Sequence, residues 1–414
     1  MPAPRTITIC TVDHIAERVY IHDPYVVTFG PDGTSTHLWT LSNDGRALAH
    51  FKTLKPLHHP GVIAPIVDSE RNILAIAKHS SGTPELHVLD IATGDPLRTL
   101  MLYGSLDDAR MPYSSRLGFA LVSTQDSDEL PRVLVVDIAG NDWIAGAAYI
   151  PPDLRTGTDR RSPQFGAEHI TDDGDIICSY VAPLLPDGVD HFTLMRWDGI
   201  PHENTLPSAR ADFPLLLEDD ESVFVSRCLP LRSDTLLVCA CETPLDAIDT
   251  AYSRSSVIRA VNTRTLDTLW TAEPVWGIVR RLYHTVDAGV VIATGMQNAR
   301  ESASKDTPVS LVAAFDDHSG ALLRLERINW IEQGADIRLC AATQDMIVVV
   351  FDNGHVSITS MDDFLAAGLT RDAETQKVMT IRLWQDDERG VVHAAVAKSS
   401  VVVATQNNLI VVSW

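Results

Sequence analysis

Short apolar runs with alternating polar positions follow one another along the chain, and a single kind of turn separates many of them. The pattern is clearest at Val88-Leu89-Asp90-Ile91-Ala92-Thr93-Gly94-Asp95-Pro96-Leu97. An apolar strand ends at Asp90, Thr93-Gly94 reverses the chain, and a second strand starts at Leu97. An aspartate at a strand end can hydrogen-bond backbone two residues on, and glycine accepts positive φ, so the stretch predicts a β-hairpin. The pattern returns at Val135–Trp143, Met195–Gly199, Ala260–Asp267 and Ala314–Leu322. Trp39–Leu48 fits earlier, and Thr359-Ser360-Met361-Asp362-Asp363 fits loosely. Asp90 and Asp137 lie 47 residues apart (137 − 90), and Asn262 precedes Asp316 by 54 (316 − 262).

A period of about 50 residues built only of strands predicts a β-propeller, because one blade cannot bury both of its faces alone. Counting strands, blade 1 covers Arg18–Leu54 and blade 2 covers Val62–Leu102. Blade 3 has clear strands at Leu117–Thr124 and Arg132–Ile138, with a poor first strand before Pro112. Blade 4 has Glu168–Thr171, Asp175–Ala182 and His191–Trp197, with Pro214–Leu217 as its rim strand. Blades 5, 6 and 7 run over Ser222–Ala272, Val279–Ile328 and Ile337–Trp384. The last three strands, from Val391 to Trp414, lack a fourth, and Arg5–Thr11 is the spare strand that would complete it. Completion removes an open edge. The expectation is therefore an all-β fold: one propeller domain over 1–414, eight blades, closed by the N-terminal strand joining the C-terminal blade. Seven blades is the alternative, if the weak fourth blade is an insertion.

Composition narrows the class. The hydrophobic fraction is 45% and the formal net charge is −22. Nucleic acid and anionic membrane are not expected partners, since phosphate binding needs a basic surface. The six cysteines (Cys10, Cys178, Cys228, Cys239, Cys241, Cys340) fall mostly inside apolar strands, as buried reduced thiols do. Neither a signal-peptide core nor an apolar run long enough to span a bilayer is present. A cytoplasmic or nuclear, monomeric protein is expected.

The loops joining each fourth strand to the next blade, and each second strand to the third, share one face of a propeller. They are long at Lys55–Gly61, Tyr103–Arg116, Pro151–Phe165, His202–Glu221, Thr243–Arg254 and Gln297–Pro308, whereas turns between third and fourth strands are short. Binding residues collect on such loops. The basic cluster Arg155, Arg160 and Arg161 could fork onto carboxylates or phosphate, or stand solvated beside Asp153 and Asp159. His58 and His59 are adjacent, so their side chains point apart, and no other metal-spaced group accompanies them. Cys239 and Cys241 share a strand face, but two thiolates do not complete a zinc tetrahedron. Trp276, Trp330 and Trp384 fall near the corners of late blades, where they either pack blade on blade or offer aromatic anchors to a partner. No P-loop, Gly-x-Ser-x-Gly elbow or His-Glu-x-x-His occurs, and no catalytic, cofactor or metal residue is assigned.

In its repeat pattern the chain resembles the WD40 and quinoprotein-like eight-bladed propellers over nearly its whole length. Leu89-Asp90-x-x-Thr93-Gly94-x-x-Leu97 carries the quinoprotein-like likeness, and Trp197-Asp198 the WD40 one. It is also similar to the propeller regions of fungal F-box-type proteins. The resemblance implies a non-catalytic scaffold that binds a protein or peptide through its loop-rich face. The alternative it implies is an enzyme or small-molecule binder using the central channel.

Overall fold

The computed structural model describes residues 7–31, 35–54, 64–78, 84–102, 105–106, 111–125, 131–140, 144–154, 164–181, 190–202, 205–215, 227–242, 255–273, 275–276, 278–297, 309–328, 337–343, 345–369, 379–383, 390–397 and 399–414. They form eight antiparallel sheets, meanders of consecutive strands except in the last, with an extra two-residue piece in blades 3 and 5, and the fold is the expected eight-bladed propeller. Blade 1, for example, runs Arg18–His22, Tyr25–Phe29, Thr36–Leu41 and Leu48–Leu54. The last blade, Val391–Ala397, Ser400–Thr405 and Leu409–Ser413, takes its fourth strand from the other end of the chain. Thr8–Val12 pairs there with Thr8 opposite Ser413 and Val12 opposite Leu409. Among the described residues no helix is long and apolar enough to cross a membrane.

Two compact units contain these sheets, one of residues 1–59 and 280–414, the other of residues 60–279. In the first unit, Val19, Val26, Trp39 and Leu41 of blade 1 pack with Val402, Ala404, Leu409 and Val411 of blade 8. In the second, Ala75, Leu86 and Val88 of blade 2 pack with Ala120, Leu134 and Val136 of blade 3. Within the first unit the second strand of blade 7 is apolar on both faces, because one face meets blade 6 and the other blade 8. Met346–Phe351 is buried at every position.

The hairpin turns are locked as the sequence dictates. Asp90 Oδ1 accepts from Thr93 N at 2.7 Å, Gly94 N donates to Asp90 O at 2.7 Å, and Gly94 sits at φ 67°. Asp316 Oδ1 accepts from Ser319 N at 2.8 Å in the same way. In blade 5 Asn262 Oδ1 takes the part, accepting from Thr265 N at 3.0 Å. These bonds stabilise the carboxylate form, and they hold Asp90 and Asp316 below the usual carboxylate range.

Four expectations need correction. Thr359–Asp363 is not a hairpin: Ser360 caps a helix, α1 (Met361–Ala367), accepting from Asp363 N at 3.1 Å, while Phe364 enters the core beside Val349 and Phe351. The rim strand of blade 4 is Ala209–Leu215, inside the stretch read as a loop, and Pro214 is accommodated because the strand is at an edge. Among the described residues blade 3 has no continuous first strand. Two-residue pieces, Ser105–Leu106 and Tyr113–Ser114, pair separately with Phe119–Gln125. Finally, the third-to-fourth connections are not uniformly short, since α1 occupies that of blade 7 and 198–208 joins those strands in blade 4.

Candidate interaction surface

Within each meander, the first-to-second and third-to-fourth turns lie at one end of the sheet, and the second-to-third connection lies at the other with the end of the fourth strand. The expected site residues Arg155, Arg160, Arg161, His58, His59, Trp330 and Trp384 lie outside the described residues. Of Trp276 the backbone is placed: Val275–Trp276 forms a two-residue strand on blade 5, with Trp276 opposite Ser255 and Val275 opposite Ser256.

The approach to the basic loop is built from described residues. After blade 3 the chain makes one 3-10 turn, Pro152–Leu154. Tyr180 on blade 4 donates its hydroxyl to Leu154 O at 2.8 Å, and Arg210 Nη1 donates to Asp153 Oδ2 at 2.9 Å. Arg210 also binds Asp212 Oδ1 at 3.1 Å, which accepts from Thr193 Oγ1 at 2.6 Å. Sequence reading singled out the arginines after Asp153 and missed Arg210, which sits on the rim strand that it also misplaced. Exposed pairs of this kind add under about 1 kcal/mol each, so their effect is to fix where the loop begins.

At the turn end of the sheets several charged groups staple structure together. Arg196 reaches Asp175 Oδ2 at 2.6 Å and Asp198 Oδ1 at 2.7 Å, and donates to Arg264 O of blade 5 at 3.0 Å. Buried Asp68 accepts from the Tyr113 hydroxyl and from Arg71 Nη1, joining blade 2 to blade 3. His284 Nε2 meets Asp317 Oδ2 at 3.0 Å in blade 6.

On the innermost strands of the first unit, His393 accepts from Val19 N at 3.3 Å and lies 5.8 Å from the Tyr20 ring. Burial, then the Arg18 and Arg281 guanidinium groups, push its imidazole down to about 4. Burial raises the Cys340 thiol on blade 7 to about 12, which favours the protonated thiol over the nucleophilic thiolate at neutral pH.

A denser polar cluster occupies blade 1. His37 Nδ1 lies 3.4 Å from His50 Nε2, and Thr53 Oγ1 lies 3.1 Å from the first nitrogen and 3.2 Å from the second. The His14 ring stacks edge-on 4.4 Å from His37 and 4.9 Å from Trp39, with its Nε2 3.2 Å from Thr28 Oγ1. Burial and the neighbouring imidazoles lower the His14 pKa to about 4, and burial with His50 lowers that of His37. Among the described residues no group of three or more His, Cys, Asp or Glu side chains could hold a metal ion.

No protein-family model matches the chain, and no curated protein matches its sequence. Solved structures do match. The C-terminal WD40 domain of Sif2 is similar at TM-score 0.57 and 13% identity, covering 98% of this chain and 97% of that one. A computationally designed protein, Ika8, reaches 0.56 at 14% identity with 98% and 97% coverage. The Dos1 propeller gives 0.52 at 11% identity, covering 98% and 94%. Such likenesses extend over whole chains at identities that carry fold alone, and the fold they share with this chain is the WD40-like β-propeller.

Proposed function

We propose that the chain is a non-catalytic interaction scaffold, a single propeller domain that binds a protein or peptide through the loops joining its second strands to its third and its fourth strands to the next blade. The observation that carries this reading is the asymmetry between the two ends of the sheets. At one end Asp90, Asp316 and Asn262 lock tight hairpins, and Arg196, Asp68 and His284 are consumed in staples. At the other end lie long connections, such as 243–254 and 298–308, whose sequence is not committed to turn geometry. A rigid scaffold with one elaborated end is how repeat folds present binding surfaces. Free cysteines at Cys10, Cys178, Cys228, Cys239 and Cys340 suit a reducing compartment, cytoplasm or nucleus.

The test is native mass spectrometry of the protein purified gently from its own cells, followed by replacement of 155–163 or 298–308 with Gly-Ser linkers. A stoichiometric protein partner that is lost on loop replacement, and kept when the Asp90–Pro96 turn is changed, supports the scaffold. A small added mass with no protein partner overturns it.

A further inference from the structure

We propose that His37, His50 and Thr53, on the two outer strands of blade 1, form a binding site for a late first-row divalent transition ion such as zinc. The three donor atoms face one another with separations of 3.4, 3.1 and 3.2 Å. A tetrahedral ion with bonds of about 2.0–2.1 Å holds its donors roughly 3.3–3.4 Å apart. Two imidazoles and a hydroxyl therefore already occupy the corners of one face of such a tetrahedron. Imidazole nitrogen selects zinc, copper and nickel over calcium or magnesium. His50 is exposed, which leaves the remaining position to water or to a partner's side chain.

The backbone irregularity that creates the triangle is specific. Thr53 pairs directly with His37 and Lys52 with Leu38, but Trp39 pairs with His50, so Phe51 is an extra, bulged residue. Strand side chains alternate, so in regular register His50 would face away from Thr53. The bulge turns it back onto the face of His37 and Thr53. Bulges between third and fourth strands recur in blades 2, 3, 5 and 6, but there each falls at the last pair before the turn. In blade 1 it is displaced, with Trp39, Thr40 and Leu41 all pairing beyond it.

Blade 2 provides an internal comparison. His87 and Thr99 of blade 2 face each other across the same two strands, with Nδ1 and Oγ1 3.2 Å apart. There the other ring nitrogen is taken by Glu85 at 2.9 Å. An imidazole–hydroxyl pair is thus present in both blades, and in blade 1 the His50 nitrogen joins it. The added group is held in place: the Trp39 ring lies edge-on 4.9 Å from His50, and Trp39 Nε1 is fixed to Thr28 Oγ1 at 3.0 Å. His14, tied to the same Thr28, backs His37 from the other side. Supporting contacts of this kind pre-orient ligating histidines.

The experiment is calorimetric titration of the chelator-treated protein with Zn(II) at neutral pH, beside thermal unfolding with and without Zn(II). The wild type binds Zn(II) and its unfolding midpoint rises. His50→Ala lowers the affinity at least tenfold and abolishes the rise, while its metal-free midpoint stays at the wild-type value because His50 is exposed. Thr53→Val weakens binding several-fold, and His87→Ala leaves it unchanged. Absence of Zn(II) binding by the wild type, or binding that survives His50→Ala, overturns the proposal.

Discussion

Acid should loosen this protein through His393, and the size of the effect can be worked out. The imidazole lies on the first strand of blade 8, accepting from Val19 N, and burial with Arg18 and Arg281 depresses its pKa to about 4. In the unfolded chain the same group titrates near the ordinary value of about 6.5. Between those limits the unfolded chain binds a proton that the folded chain refuses, so stability falls as the pH falls. The contribution is intact above about 6.5 and is lost progressively toward about 4, amounting to roughly 2–3 kcal/mol by the lower limit. His393→Gln keeps an acceptor for Val19 N and removes the titration. Urea unfolding from neutral pH down to about 4.5 should therefore show a shallower acid loss in the variant, the two proteins diverging by about 2 kcal/mol. The other depressed imidazoles, His14, His37 and His169, contribute to the residual slope. Parallel curves for wild type and variant would refute the reasoning, because a neutral buried imidazole at 393 could not then be the linked group.

Gly146→Ala should destabilise by about 1–3 kcal/mol in thermal melts, because an added Cβ would stand 2.3 Å from Pro201 O and 2.4 Å from Ile200 Cγ2. Phe364→Ala removes the fully buried anchor of α1 and should cost about 3–5 kcal/mol, read as a lower urea midpoint. Ser360→Ala should cost about 1 kcal/mol by removing the cap bond to Asp363 N. Alkylation followed by mass spectrometry at neutral pH should label half-buried Cys10 well before Cys178 or Cys340, whose thiols burial raises. Equal labelling of the three in the folded protein would contradict that order.

The blade count was legible because its signals are local: Asp90, Asp137 and Asp316 each end an apolar strand and turn it through neighbouring N–H groups. Elements with little apolar sequence of their own were harder to read. Tyr113–Ser114 is a strand only because Phe119 and Ala120 lie beside it. Ala209–Leu215 exposes Arg210 and Asp212 on a rim, so it lacks the apolar run that marks a strand. Helix α1 did carry a signal, with Ser360 before Met361, Phe364 and Leu365 at helical spacing and aspartates in its first turn. The turn reading won because Met-Asp-Asp also resembles the repeating hairpin. The blade 1 histidines were invisible, since strict alternation from Thr53 assigns His50 to the opposite face and nothing in the letters announces a bulge.

The eighth sheet has a consequence for the order in which the molecule assembles. Thr8 and Ser413 meet across 405 residues (413 − 8), whereas the hairpin of blade 2 starts from Leu89 and Pro96, 7 apart (96 − 89). Joining ends that far apart costs about 5 kcal/mol of chain entropy, against about 1–2 for a hairpin. The cost falls once the intervening blades have folded and carried the two strands toward each other, so this pairing is the last to form and the first to fray. A circular permutant that links Trp414 to Ile7 and opens the chain at another loop turns the most distant contact into one more local turn. It should fold faster, and its eighth sheet should exchange amide hydrogens as slowly as the rest.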